Sequence, residues 1–212
     1  MTMRKITIIL SIFTMVSMTG CGQTKNPLTY DEGVVINGVK WATRNVDNFG
    51  NFAPTPESSG MFYQWNRKKA WTTIGEIVEE WNNTDTEGLE WTKENDPSPE
   101  GWRIPTLDEI KTLFDTEKVE NEWITQNGVN GRKFTDKTTR NSIFFPAVGF
   151  RYRGNGMLYS TGTICAYWSS TQRDSYNAYY LYSNNGSAEI DHHYRSNSRS
   201  VRCVAKWKSE KK

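Results

Sequence analysis

The 212-residue chain sets 26 lysine and arginine residues against 24 aspartate and glutamate. Removing residues 1–20 as a signal would take away Arg4 and Lys5, leaving 24 of each sign and a mature chain close to neutral. That balance provides no basic field to concentrate nucleic acid or anionic lipid, so no nucleic-acid partner is expected and charge alone would not hold the chain to a membrane.

Read from its start, the chain has a positive n-region at Arg4 and Lys5 and a short apolar stretch from Ile6 to Val16. Small residues Thr19 and Gly20 then lead into Cys21. The span is short for a transmembrane helix and has the flanks of an export signal. Met18-Thr19-Gly20-Cys21 resembles a bacterial lipobox. The expectation is a signal peptide over 1–20, diacylation of Cys21, and attachment to the outer membrane or cell surface through acyl chains. Residues 21–33 are polar, contain Pro27, and read as a tether.

The body of the chain is expected to run from 34 to 207, with a charged tail at 208–212. It is long enough for one domain with a sizeable core. It carries nearly all of the chain's 9 Trp, 10 Tyr and 9 Phe. That density, with Gly-containing turns, favours antiparallel strands. Asn37-Gly38 between Val34-Val35-Ile36 and Val39-Lys40-Trp41 predicts a hairpin. Residues 48–60 read as loop, and Met61–Trp65 as a short strand. Ile74, Ile77, Val78 and Trp81 have helical spacing, but a loop pinned by aromatic anchors fits as well and is preferred. Thr106-Leu107-Asp108-Glu109 forms a capping box, so a helix is expected from about 107 to 117, with Leu107, Ile110, Leu113 and Phe114 on its apolar face. Strands are predicted at 143–148, 157–160, 166–170, 178–182, 187–191 and 200–206.

Few residues offer chemistry. His192 and His193 are the only histidines, and neighbours on a strand point to opposite faces, so a shared metal ion is not expected. Glu79 and Glu80 read as solvated charge. Cys165 and Cys203 remain after lipidation; in an exported protein a disulfide between them is plausible. Nothing local would activate either thiol as a nucleophile. No cofactor and no enzymatic activity are expected.

Five ordered blocks resemble the Fibrobacter succinogenes major paralogous domain. They are Val35–Ala42 with Gly60–Trp71, then Asp96-Pro97-Ser98-Pro99-Glu100-Gly101-Trp102-Arg103-Ile104-Pro105-Thr106, Phe145–Arg151, Tyr167–Thr171, and Ser200-Val201-Arg202-Cys203-Val204. The resemblance covers roughly 34–205. It implies an α+β fold of the C-type-lectin-like or formylglycine-generating-enzyme-like kind, loop-rich with one clear helix, on an exported lipoprotein. Many relatives carry Cys where this chain has Ser98, so a pairing with Cys203 would be lost here or moved to Cys165. The catalytic cysteine pair and iron-binding histidines of enzymes of this fold are missing, and so are the calcium-ligand sequences of true lectins.

What remains is recognition by surface loops, through aromatic faces together with amides and guanidinium groups. The candidate residues are Arg151, Tyr152, Arg153 and Asn155; Asn184 and Asn185; and Asp191, His193 and Tyr194. The expected function is a non-enzymatic, lipid-anchored surface protein binding a glycan or a protein partner. The alternative is a structural or accessory subunit of a surface assembly such as a fimbrial tip, and a degenerate modifying enzyme stands third.

Overall fold

The computed structural model describes residues 25–206. The expected signal at 1–20, the expected lipidation site Cys21 and the expected tail at 208–212 lie outside the described residues.

In chain order the strands begin with β1 (Val34–Ile36), β2 (Val39–Trp41), β3 (Phe62–Gln64), β4 (Ala70–Trp71) and β5 (Trp102–Arg103). The helix α1 (Leu107–Lys111) follows and tightens into a 3₁₀ turn over Thr112–Phe114. Next come β6 (Val119–Gln126), β7 (Val129–Asp136), β8 (Ser142–Pro146), β9 (Phe150–Arg151) and β10 (Leu158–Tyr159). The last five are β11 (Cys165–Gln172), β12 (Asn177–Ser183), β13 (Ala188–Tyr194), β14 (Ser198–Arg199) and β15 (Val204–Ala205).

These strands form four antiparallel sheets, ordered β1-β2-β15-β5, β10-β9-β14-β3-β4, β11-β12-β13 and β6-β7-β8. The α+β, C-type-lectin-like expectation is therefore overturned. The architecture is β-rich, and the one short α-helix among the described residues makes no layer of its own.

Two local causes account for the difference. The helix has the capping box expected of it, with the Glu109 amide on Thr106 Oγ1 at 3.3 Å and the Thr106 amide on Glu109 Oε2 at 2.8 Å. It stops well short of 117 because Asp115 turns extended and gathers the next amides. The Lys118 and Val119 N–H groups bond its carbonyl, and the Glu117 N–H bonds its carboxylate. Segment 119–136 then forms the longest hairpin of the molecule, turning at Asn127 (φ 48°) and Gly128 (φ 82°). Asn37 (φ 44°) and Gly38 (φ 80°) make the same left-handed pair at the predicted first hairpin. No helix forms over 74–81; Trp71 and Trp81 pin that loop with ring centroids 4.7 Å apart.

Much of the sequence's block pattern is core construction. Trp102 packs edge-on against Phe52 at 5.7 Å, and Arg103 reaches Glu109 at 2.7 Å, tying β5 to the start of α1. Burial alone would raise the Glu109 pKa, yet Arg103 and the Thr106 groups hold it below the ordinary carboxylate value. Arg202, fully buried, donates to Asn45 Oδ1, Ala42 O and Phe144 O, while Val201 and Cys203 face a cluster with Phe52, Tyr63 and Ile104. The largest core gathers Trp41, Phe134, Phe145, Tyr167 and Leu181, with edge-to-face ring contacts between 4.9 and 5.9 Å. Each such pair contributes about 0.5–1.5 kcal/mol beyond its buried area.

The disulfide does not form. Cys165 and Cys203 are both free and buried in different clusters. Cys165 donates to Phe145 O at 3.2 Å, and Cys203 lies 3.0 Å from Ser98 Oγ. Alternation along 201–204 turns Cys203 toward the 96–104 segment, away from Cys165.

Candidate functional site

The predicted binding residues fall into three groups. Arg151 is not a surface residue: it is fully buried on β9. Its guanidinium donates to Thr72 O (2.8 Å), Ile74 O (2.7 Å), Gly75 O (3.0 Å), Glu76 O (3.3 Å) and Gly156 O (2.8 Å). All five acceptors are neutral carbonyls, so this side chain fastens the 72–76 loop to the β9–β10 hairpin. Asn184 and Asn185 sit at the turn end of the β12–β13 hairpin. Asn184 Oδ1 accepts the Gly186 and Ser187 amides, which makes it a turn residue. Tyr194 lies at the opposite end of the same hairpin, paired with Asn177. Seven residues of strand separate the two ends, roughly 20 Å, so the asparagines and the tyrosine do not share a site.

The third group does come together. Arg153, just beyond β9, lies over the Tyr194 ring at 4.0 Å. Its amide donates to Asn197 Oδ1 at 2.8 Å, and its carbonyl accepts from Trp81 Nε1 at 2.7 Å. Asn197 Nδ2 lies 3.1 Å from His193 Nδ1, which also accepts the Tyr194 amide at 2.9 Å. Tyr152 and Tyr159 meet edge-on at 6.0 Å across the β9–β10 hairpin, and Phe150 stacks on Tyr159. Three tyrosines stay open to solvent: Tyr152 at 43%, Tyr159 at 42% and Tyr194 at 39%. Asn155 is exposed beside them and caps the Met157 amide.

Beneath this surface Arg199 on β14 is sealed into an aromatic box, 3.9 Å from the Tyr180 centroid, 4.6 Å from Trp168 and 5.4 Å from Phe150. Its Nε and Nη1 have no hydrogen-bond partner, and ring faces take that role. Asp191 accepts the Tyr180 hydroxyl at 2.8 Å and lies near this cation.

The geometry fixes the protonation of His193. Both groups on Nδ1 are donors, because Asn197 Oδ1 is committed to the Arg153 amide; the ring is therefore neutral, with its proton on Nε2. Burial depresses its pKa, and the charges of Arg199, His192 and Arg153 reinforce this against Asp191. A depressed folded value means that the neutral form stabilises the fold fully above about pH 6.5, and that this contribution is lost as pH falls below that value. Wild-type stability is expected to drop as pH falls below about 6.5, and His193→Gln to flatten that part of the profile. Chemical denaturation across the pH series checks it, and an unchanged slope in the variant would refute it.

Sequence reading placed Trp81 only as a loop anchor and missed Tyr159 and the buried support from Arg199 and Tyr180. Tyr159 was legible only as a strand residue, since nothing local shows that it meets Tyr152 across the hairpin.

Neither cysteine is poised for chemistry. Burial pushes the Cys165 thiol up to about 12 and raises Cys203 as well, so both are protonated at neutral pH. Among the described residues no three His, Cys, Asp or Glu side chains are grouped to hold a metal ion. A separate cavity of about 520 Å³ lies by β2, β5 and β15, lined by Val39, Lys40, Trp102, Glu109, Ala205 and Lys206.

A family model described as the Lcl C-terminal domain matches residues 37–205. The chain belongs to the Lcl C-terminal domain family. No curated protein and no solved structure matches it significantly. The Lcl match spans every strand from β2 to β15 and includes both hairpins that build the tyrosine surface.

Proposed function

We propose that this Lcl-domain protein is a non-enzymatic, lipid-anchored surface protein that recognises a glycan through Tyr152, Arg153, Tyr159, His193 and Tyr194. One observation carries the reading: three half-open tyrosines and a ring-stacked arginine are held side by side by two separate hairpins. Aromatic faces stack on the apolar faces of sugar rings, and neighbouring guanidinium and amide groups bond hydroxyls. The support is fixed, since Asn197, Trp81 and Arg151 hold the loops through backbone atoms. Little ordering entropy would then be lost on binding. The export signal, the lipobox-like sequence before Cys21 and the finer resemblance to the Fibrobacter succinogenes major paralogous domain all favour a place on the outer membrane or cell surface.

A glycan array probed with the mature domain tests this reading. Binding should fall at least tenfold in Tyr152→Ala and Tyr194→Ala, with thermal stability little changed. Binding that survives both substitutions, or no binding on the array, would count against it.

A protein partner in a surface assembly is the second reading. Ile74 and Ile77 favour it, standing 75% and 73% exposed on the loop that Arg151 clamps. Co-purification of a stable partner, lost in the double variant Ile74→Ser/Ile77→Ser, would select it.

A further inference from the structure

The domain begins abruptly. Asn26 already bonds it into a turn: its carbonyl accepts the Thr29 and Tyr30 amides, and its side chain accepts the Leu28 amide. The next residues are held harder. Leu28 O accepts the Phe52 amide at 2.6 Å, Pro27 O accepts Arg44 Nη1 at 2.9 Å, and buried Asp31 takes the Thr43 and Gly33 amides. Only five peptide steps separate Cys21 from Asn26. Fully extended they reach about 17 Å, and as a flexible coil about 12 Å. The headgroup zone on each side of a bilayer is itself roughly 5–8 Å deep. An acylated Cys21 would therefore hold this end of the domain within about 4–12 Å of the headgroup surface, close enough for exposed side chains there to reach it.

The surface at that end is suited to such contact. Leu28 is 50% exposed, and Phe49 is 46% exposed at the tip of the turn closed by the Asn51 amide on Asn48 O. The two lie on neighbouring strips of backbone: Leu28 O accepts the Phe52 amide, and Phe52 follows Phe49 by three positions. Lys25 adds an ammonium at the same end, 3.8 Å from the Tyr30 ring centroid. Two open apolar side chains beside a cation match the glycerol and phosphate layers of a bilayer.

We propose that Leu28 and Phe49 form the membrane-resting end of the domain and insert into the headgroup layer beside the acylated cysteine. This rests on the lipid-anchor reading of Cys21. It fixes the orientation of the domain: the short linker and the apolar pair together act as a two-point mount.

The test uses the full-length protein, purified from a bacterial membrane and reconstituted in 3:1 phosphatidylethanolamine–phosphatidylglycerol vesicles. Single cysteines at Leu28→Cys, Phe49→Cys and, for comparison, Ile77→Cys are labelled with an environment-sensitive fluorophore. Cys165 and Cys203 are buried and stay unlabelled in the folded protein. Labels at 28 and 49 should shift to the blue and be quenched several-fold more than the label at 77 by spin-labelled lipid. Aqueous spectra at 28 and 49, or equal quenching at all three positions, would overturn the orientation when mass spectrometry of the N-terminal peptide confirms the acyl chains. An unmodified N-terminal peptide would instead remove the anchor, and this inference with it.

Discussion

Ser98→Cys is expected to close a disulfide with Cys203 and to stabilise the domain by about 2–4 kcal/mol under oxidising conditions. The Cys203 sulfur already faces Ser98 Oγ at 3.0 Å. The new bond would close a loop of 105 residues, long enough that most of the gain comes from restricting the unfolded chain. For a domain of this size the midpoint should rise by roughly 5–15 °C, and a reductant should erase the gain. Thermal melts with and without dithiothreitol, beside a thiol count, check this. With the bond closed, only the Cys165 thiol should titrate after denaturation; three titratable thiols among positions 98, 165 and 203 would show that the backbone separation forbids the bond. In the native chain, burial raises the Cys203 pKa and keeps its thiol protonated at neutral pH.

Arg151→Ala should be the most damaging single change near the tyrosine surface, costing about 3–5 kcal/mol. The substitution strips the donor from five carbonyls at once and leaves a void where a fully buried side chain had been. Lysine should rescue little, because a single ammonium cannot reach acceptors spread over Thr72–Glu76 and Gly156. The lost contacts are local, so the damage should show as early proteolysis within 72–80, before global unfolding. Urea denaturation gives the magnitude and limited proteolysis the location. A stability loss below about 1 kcal/mol would mean that water replaces the guanidinium, and the clamp would then be unimportant.

Arg151 also shows where sequence reading went astray. An arginine beside Tyr152 and Arg153 on a Gly-rich hairpin reads as a solvent-facing ligand group, because exposure is the ordinary state of arginine. Its buried role depends on carbonyls some 75 residues earlier, in a loop whose helix-like spacing gives no sign of it. Asn184 was misplaced for a related reason: a turn asparagine and a ligand-binding asparagine have the same sequence, and only the backbone amides it accepts tell them apart. The β6–β7 hairpin had a usable mark in Asn127-Gly128, the pair type that correctly located the first hairpin. The α+β expectation came from the resemblance and gave too much weight to one well-capped helix, which Asp115 cuts short.

The sequence by itself determined what lies in neighbouring residues: the capping box at Thr106, the hairpin at Asn37-Gly38 and most strand positions after 143. Those features arise from contacts within a few positions, where turn geometry and strand alternation act directly on the chain. Only the tertiary structure decided which candidates meet, that Arg151 and Arg199 point inward, and that the two thiols lie in separate clusters. Such choices rest on partners tens of residues apart, brought together by packing four small sheets, and no local pattern of side chains encodes that pairing.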